Sequence, residues 1–184
     1  MISPPVNEGA AIMNNSGTKP SGEEYKTWGK SRVNRLPDYD YVDDRPIHLT
    51  ICALDKKSVF GHDAEAEAII TELSKAAQDL ECKMLCYCLM PDHLHVIVSS
   101  GDSGVALSKF LNIFKGRTTA VFRKRFGVSN LWQKSDYDHV IRAGEDLKTI
   151  IQYVLNNPVR KGLVASPDDY PYSRCFEDIA KSYL

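Results

Sequence analysis

Apolar and polar positions along the chain follow two rhythms. "IHLTICAL", Ile47 to Leu54, alternates and is partly β-branched, which predicts a strand. "DAEAEAIITELSKAAQDL", Asp63 to Leu80, sets Ala66, Ile69, Ile70, Leu73, Ala76, Ala77 and Leu80 on one helical stripe, with Asp63 placed as its N-cap. "KMLCYCLM", Lys83 to Met90, is apolar on both faces and predicts a second strand covered on both sides. Pro91-Asp92 predicts a tight turn into a third strand, "HLHVIVSS". After the "GDSG" break, Val105 to Phe126 reads as a long helix. Leu131 to Arg142 reads as a fourth strand with its flanks. Glu145 to Asn157 reads as a helix stopped by Pro158. The tail, with "NPVRKGLV" and "PDDYPYSR", is turn-rich.

The order β-α-β-β-α-β predicts an α+β domain of the ferredoxin-like, split βαβ kind: an antiparallel sheet with two helices on one face. The other face is open or covered by the extra C-terminal helix that carries Tyr153. Residues 1–24 are rich in Gly, Pro, Ser and Asn and hold no aromatic residue, so a disordered extension is expected over 1–30 and one folded domain over 31–184.

Within that frame the paired histidines of "PDHLHVIVSS" are unusual. His93 and His95, two apart on a strand, project to one face together with Ile97, while Leu94, Val96 and Val98 point the other way. Two imidazoles on one side can bind one metal ion; they can also be two histidines on a partly exposed face. His48 alternates with Ile47, Leu49 and Ile51, so it shares the open side, either as a structural histidine or as one that touches substrate or supports the pair from behind. His139 fits a core or supporting position rather than a ligand. In the last helix Tyr153 and Asn157, at i and i+4, share one face, flanked by Gln152 and Asn156.

Net charge is −1 over 184 residues, so overall charge excludes little. Its distribution says more. Between Ser103 and Ser135 there is no Asp or Glu, but there are Lys109, Lys115, Arg117, Arg123, Lys124, Arg125 and Lys134. A basic block in an otherwise acidic chain suggests a polyanion-binding face, with Lys115, Arg117, Arg123, Lys124 and Arg125 as phosphate contacts. The interleaved Phe110, Phe114, Phe122 and Phe126 fit either a core stripe or bases stacked on rings. The five cysteines are an odd set; Cys82, Cys86 and Cys88 lack the second paired knuckle of a zinc site, so buried reduced thiols are expected. No run is apolar enough to span a bilayer and no signal peptide is evident, so a cytoplasmic protein without a membrane partner is expected.

"MPDHLHVIV" resembles the His-hydrophobic-His motif of HUH single-strand DNA nucleases. "RLPDYDY", "LWQKSDYDHVIR", "YVLNNPVRKGLV" and "DDYPYSR" resemble blocks of the REP-associated tyrosine transposases, relatives of the single-tyrosine insertion-sequence enzymes; the likeness runs from about Arg32 to Cys175. It implies a DNA-nicking and -joining enzyme, prokaryotic and nucleoid-associated, working through a 5′-phosphotyrosine on single-stranded or hairpin DNA, as a monomer or homodimer. His93 and His95 would be metal ligands, Tyr153 the nucleophile, and Asn157 the third ligand or a polar orienter, with Asn156 and His48 as supporting residues. Mg²⁺ or Mn²⁺ is the expected ion, with Zn²⁺ open. Two rivals are a DNA-binding protein that no longer cuts and a metal-dependent phosphodiesterase indifferent to Tyr153.

Overall fold

The computed structural model describes residues 44–134, 137–141 and 146–183; the expected N-terminal extension lies outside the described residues. In chain order the main elements are β1 (Ile47–Cys52), α1 (Asp63–Asp79), β2 (Lys83–Met90), β3 (His93–Ser99), α2 (Leu107–Phe126), β4 (Tyr137–Val140), α3 (Leu147–Leu155), α4 (Asn157–Arg160), β5 (Ser173–Cys175) and α5 (Glu177–Lys181). The strands form one antiparallel sheet in the order β4-β1-β3-β2-β5. Strands β1 to β4 thus take the expected split βαβ arrangement. Strand β5 was not expected: it is only "SRC", set in a turn-rich tail, and it exists because β2 offers it an edge.

Alternation divides the sheet into two cores. Ile47, Leu49 and Ile51 of β1, Leu94, Val96 and Val98 of β3, and Tyr87 and Leu89 of β2 pack against α1 and α2. The opposite face carries Leu85, Cys86, Cys88, Met90 and Ile97, and it is covered by Leu147, Ile150, Ile151 and Val154 of α3 with Tyr170 and Ala180. A bulge between Met84 and Cys86 shifts the phase of β2, so that Leu85 and Cys86 both serve this second core. Burial pushes the Cys82 thiol up to about 11 and Cys88 up to about 12, and raises Cys86 further, so these sulfurs pack as small apolar groups.

Three sequence readings change in detail. Asp63 is the first residue of α1 and His62 its N-cap; the Asp63 carboxylate instead accepts from the Tyr172 hydroxyl, tying the tail to α1. The expected fourth strand shortens to Tyr137–Val140, with Trp132 making a separate bridge to Ala53. The helix before Pro158 runs from Leu147 to Leu155, ending sooner than expected, and Pro158 does not stop the chain from turning again. It sits in the first turn of α4, directly after α3, where its missing N–H is tolerated.

The phenylalanines of α2 are core. Phe110 and Phe114 are fully buried, Phe122 nearly so, and Phe126 packs against the same cluster. Phe114→Ala is therefore expected to lower unfolding free energy by about 3–5 kcal/mol in urea titrations, with single-strand DNA affinity of the folded fraction unchanged. Loss of affinity at parental stability would restore the base-stacking reading.

Candidate active site

The hairpin between β2 and β3 pairs Met90 with His93, leaving Pro91 and Asp92 as its two-residue tip. His93 therefore opens β3 at the sheet's end, and His95 follows on the same face. The His93 Nε2 and His95 Nε2 atoms stand 3.1 Å apart. The other nitrogen of each ring is held from behind. Asp92 Oδ1 lies 2.6 Å from His93 Nδ1, which orients that ring as an Nδ1–H donor with a bare Nε2. Thr50 Oγ1 and His48 Nε2 lie 3.0 and 3.1 Å from His95 Nδ1. Both come from β1, where Thr50 is directly opposite His95 and His48 opposite Ile97.

Burial, then the neighbouring His48, His93 and Arg160, hold His95 well below the ordinary imidazole range, so its ring is neutral near pH 7. A neutral His95 has two self-consistent arrangements. It can give its Nε2 proton to His93 and accept at Nδ1, or it can donate from Nδ1 to Thr50 or His48. The second leaves two lone pairs facing each other, an arrangement that suits a cation between them. Two nitrogens each about 2.1 Å from one ion stand roughly 3.0–3.4 Å apart for octahedral to tetrahedral angles, a span that includes the separation here. Among the described residues, no third His, Cys, Asp or Glu is grouped with others so as to hold a metal ion. From the described residues, the further ligands open to a bound ion are oxygens of an amide, solvent or substrate, which suits a hard divalent cation.

Helix α3 lies across this face, anchored by the apolar residues that cover β2 and β3. Its N-terminus is capped by Asp146 Oδ1, which accepts from Lys148 N at 3.0 Å. Tyr153 is at the edge of the apolar stripe, half-buried, with its ring edge-on to His95 and His48 at centroid distances of 6.3 and 6.4 Å. Other tyrosines are engaged elsewhere: Tyr170 donates to Leu89 O at 2.7 Å, Tyr172 to Asp63, and Tyr183 to Asp44 Oδ1 at 2.6 Å. Tyr87 packs under α1 and α2, and the Tyr137 side chain lies outside the description.

The two asparagines finish α3. Pro158 has no N–H for the Val154 carbonyl four residues back, and Asn157 Nδ2 supplies one at 3.2 Å while also donating to Tyr153 O at 2.9 Å. Its Oδ1 is the atom left to act as a ligand. Asn156 Nδ2 donates to Gln152 O at 2.9 Å. The break holds Tyr153, Asn157 and Arg160 on one line at i, i+4 and i+7, and the Arg160 Cζ sits 4.8 Å from the Tyr153 ring centroid.

The basic block is partly neutralised in space. Arg117 pairs with Asp79 of α1 at 2.7 Å, and Lys115 donates to Gln133 O at 2.7 Å. Arg123, Lys124 and Arg125 are exposed at the C-terminus of α2, where cations also complement the helix dipole. Helix α2 packs on the sheet face away from the histidines. Its C-terminal end is nevertheless at their end of the sheet: Phe122 meets Phe60, whose N–H donates to Pro91 O at 3.0 Å. Asp92, Thr50 and Arg160 were not singled out from sequence; Asp92 adjoins the motif, Thr50 shares the alternation of His48, and Arg160 lies two turns past Tyr153.

Residues 41–157 match the family model "Transposase IS200 like". The chain belongs to the IS200-like transposase family. A REP-associated tyrosine transposase of Escherichia coli (strain K12) is 29% identical over 109 residues, 58% of this chain and 62% of that protein. This chain thus spans about three-fifths of that family member. An uncharacterized protein of Haemophilus influenzae is 22% identical over 158 residues, 70% of this chain and 88% of its own length. A solved REP-associated tyrosine transposase bound to a REP hairpin matches with a TM-score of 0.64 at 22% identity, covering 82% of this chain and 87% of that one, which establishes the shared fold. The family match contains His93, His95, Tyr153 and Asn157; Arg160 lies beyond it.

Proposed function

We propose that this transposase-family chain is a metal-dependent single-strand DNA endonuclease and strand transferase whose nucleophile is Tyr153. The observation that carries the reading is the convergence of the two histidine Nε2 atoms, 3.1 Å apart, with the Tyr153 ring beside them. In the proposed reaction the Tyr153 phenol oxygen attacks a phosphodiester, its proton leaves to solvent, and the bond from phosphorus to the 3′ oxygen breaks. A 5′-phosphotyrosine and a free 3′-OH result, and a second 3′-OH can reverse the exchange with another strand.

His93 and His95 would hold a divalent ion, Mg²⁺ or Mn²⁺ by preference, with Asn157 Oδ1 as a candidate third ligand; such an ion supplies positive charge to the scissile phosphate. In the arrangement that would hold an ion, Asp92 keeps the His93 proton on Nδ1, and Thr50 or His48 accepts from His95 Nδ1. Helix α3, pinned by its apolar stripe, carries the Tyr153 ring beside His95, which supports the phenol as the attacking group. Hairpin DNA is the proposed substrate class, supported by the hairpin bound to the related transposase. Incubating the protein with hairpin oligonucleotides bearing single-stranded flanks should give nicked product with Mn²⁺ and none with EDTA. Metal-independent nicking, or none in either condition, would refute it.

Arg123, Lys124 and Arg125 are proposed as phosphate contacts for a flank that passes the sheet's end. Log affinity for single strands should fall linearly with log salt, and changing all three to Ala should flatten the slope by about 2, at roughly 0.7 per contact. An unchanged slope would make them a solvated helix end.

A further inference from the structure

We propose that Arg160 is the residue that grips the scissile phosphate, holding its non-bridging oxygens beside the Tyr153 ring. This rests on the phosphodiester reading above and gives a role to an arginine to which the sequence analysis assigned none.

The placement follows from the break in the last helix. Asn156 keeps right-handed helical backbone between α3 and α4, so the chain continues turning through Pro158 rather than leaving the sheet. Arg160 N donates to Asn156 O at 3.0 Å, and Lys161 N to Asn157 O at 3.0 Å, which sets the short helix firmly on the end of the long one. Side chains on a helix lean towards its N-terminus. Arg160, seven residues after Tyr153, therefore reaches back along the same face, and its guanidinium carbon lies 4.8 Å from the phenol ring centroid. One cation thus stands against the candidate nucleophile's ring, whose other neighbours include His95 at a centroid distance of 6.3 Å.

Arginine suits such a position better than lysine. The planar guanidinium can stack on the Tyr153 ring with one face while its N–H edge bonds two oxygens of a phosphate. Stacking also limits the rotamers of both side chains before DNA arrives, so less freedom is lost on binding. The side chain is exposed, so the group can meet an incoming strand, and its removal leaves no buried hole.

The test crosses the residue with the substrate's charge. A hairpin oligonucleotide with single-stranded flanks is selected on the parent protein. It is then made with a neutral methylphosphonate at each flank linkage in turn. Affinities are measured in EDTA, so that neither metal nor cleavage contributes. Arg160→Ala should weaken binding of the ordinary hairpin by about ten- to a hundredfold, the range for a hydrogen bond to a charged group. One methylphosphonate position should weaken the parent similarly and leave Arg160→Ala unaffected, while Arg160→Lys recovers part of the loss. Additive effects at every linkage, or Arg160→Ala binding as the parent does, would overturn the assignment. Adduct formation with Mn²⁺ is measured beside it. A parent that forms adduct with no coupling to Arg160 refutes this inference alone; a parent that binds and couples without adduct refutes the proposed chemistry instead.

Discussion

Tyr153→Phe is expected to form no covalent protein–DNA adduct, to nick hairpin DNA at least about 10⁴-fold more slowly, the scale for removing a nucleophile, and to bind the hairpin and melt as the parent does. The substitution removes one oxygen and keeps the ring whose edge meets His48 and His95. Tyr170→Phe is the contrasting variant. Its hydroxyl donates to the buried Leu89 carbonyl, so its loss should cost about 1 kcal/mol of stability and leave the adduct intact. Tyr137→Phe, on the strand beside β1, should also keep the adduct. If Tyr153→Phe keeps it and Tyr137→Phe loses it, the nucleophile is on the sheet and not on α3.

The second large effect concerns the histidine pair. The parent should bind Mn²⁺ in a calorimetric titration, and the His93→Ala, His95→Ala double variant should show neither that binding nor Mn²⁺-dependent nicking. The two single variants should differ in stability. His95 is buried, and its removal takes away the hydrogen bonds it shares with Thr50 and His48, a loss of about 1–3 kcal/mol. His93 is only half-buried at the strand's opening and should cost less. His93→Ala is therefore the cleaner probe of metal binding in a folded protein. Unchanged Mn²⁺ affinity in that variant, with its fold intact, would remove the metal from this site.

Much of the fold was readable because alternation and helical periodicity are set by burial. The strand pattern of β1 and β3 put His48, His93 and His95 on one face from sequence alone, and the structure joins the three. What was not readable depended on partners distant in sequence. The acid-free window around α2 hid Asp79, which the fold carries to Arg117 from another helix. The four phenylalanines of α2 looked ambiguous until α1 and the sheet closed over them. Strand β5 has too few residues to show a period and exists only against β2. Pro158 reads as a stop by local rules, because nothing in the sequence shows that Asn157 donates to the carbonyl it leaves unpaired. Arg160 stands in the quoted "YVLNNPVRKGLV" block, but a helix read as ending at Pro158 gives no reason to place it beside Tyr153.

The most direct measurement is the mass of the adduct itself. The protein is incubated with the hairpin pool and Mn²⁺, denatured, digested with protease and nuclease, and the nucleotide-bearing peptide is sequenced by mass spectrometry. A 5′-phosphate linked to Tyr153, absent when EDTA replaces the metal, is the predicted result. Nucleotide on any other residue, or nicked DNA with no protein attached, would contradict it.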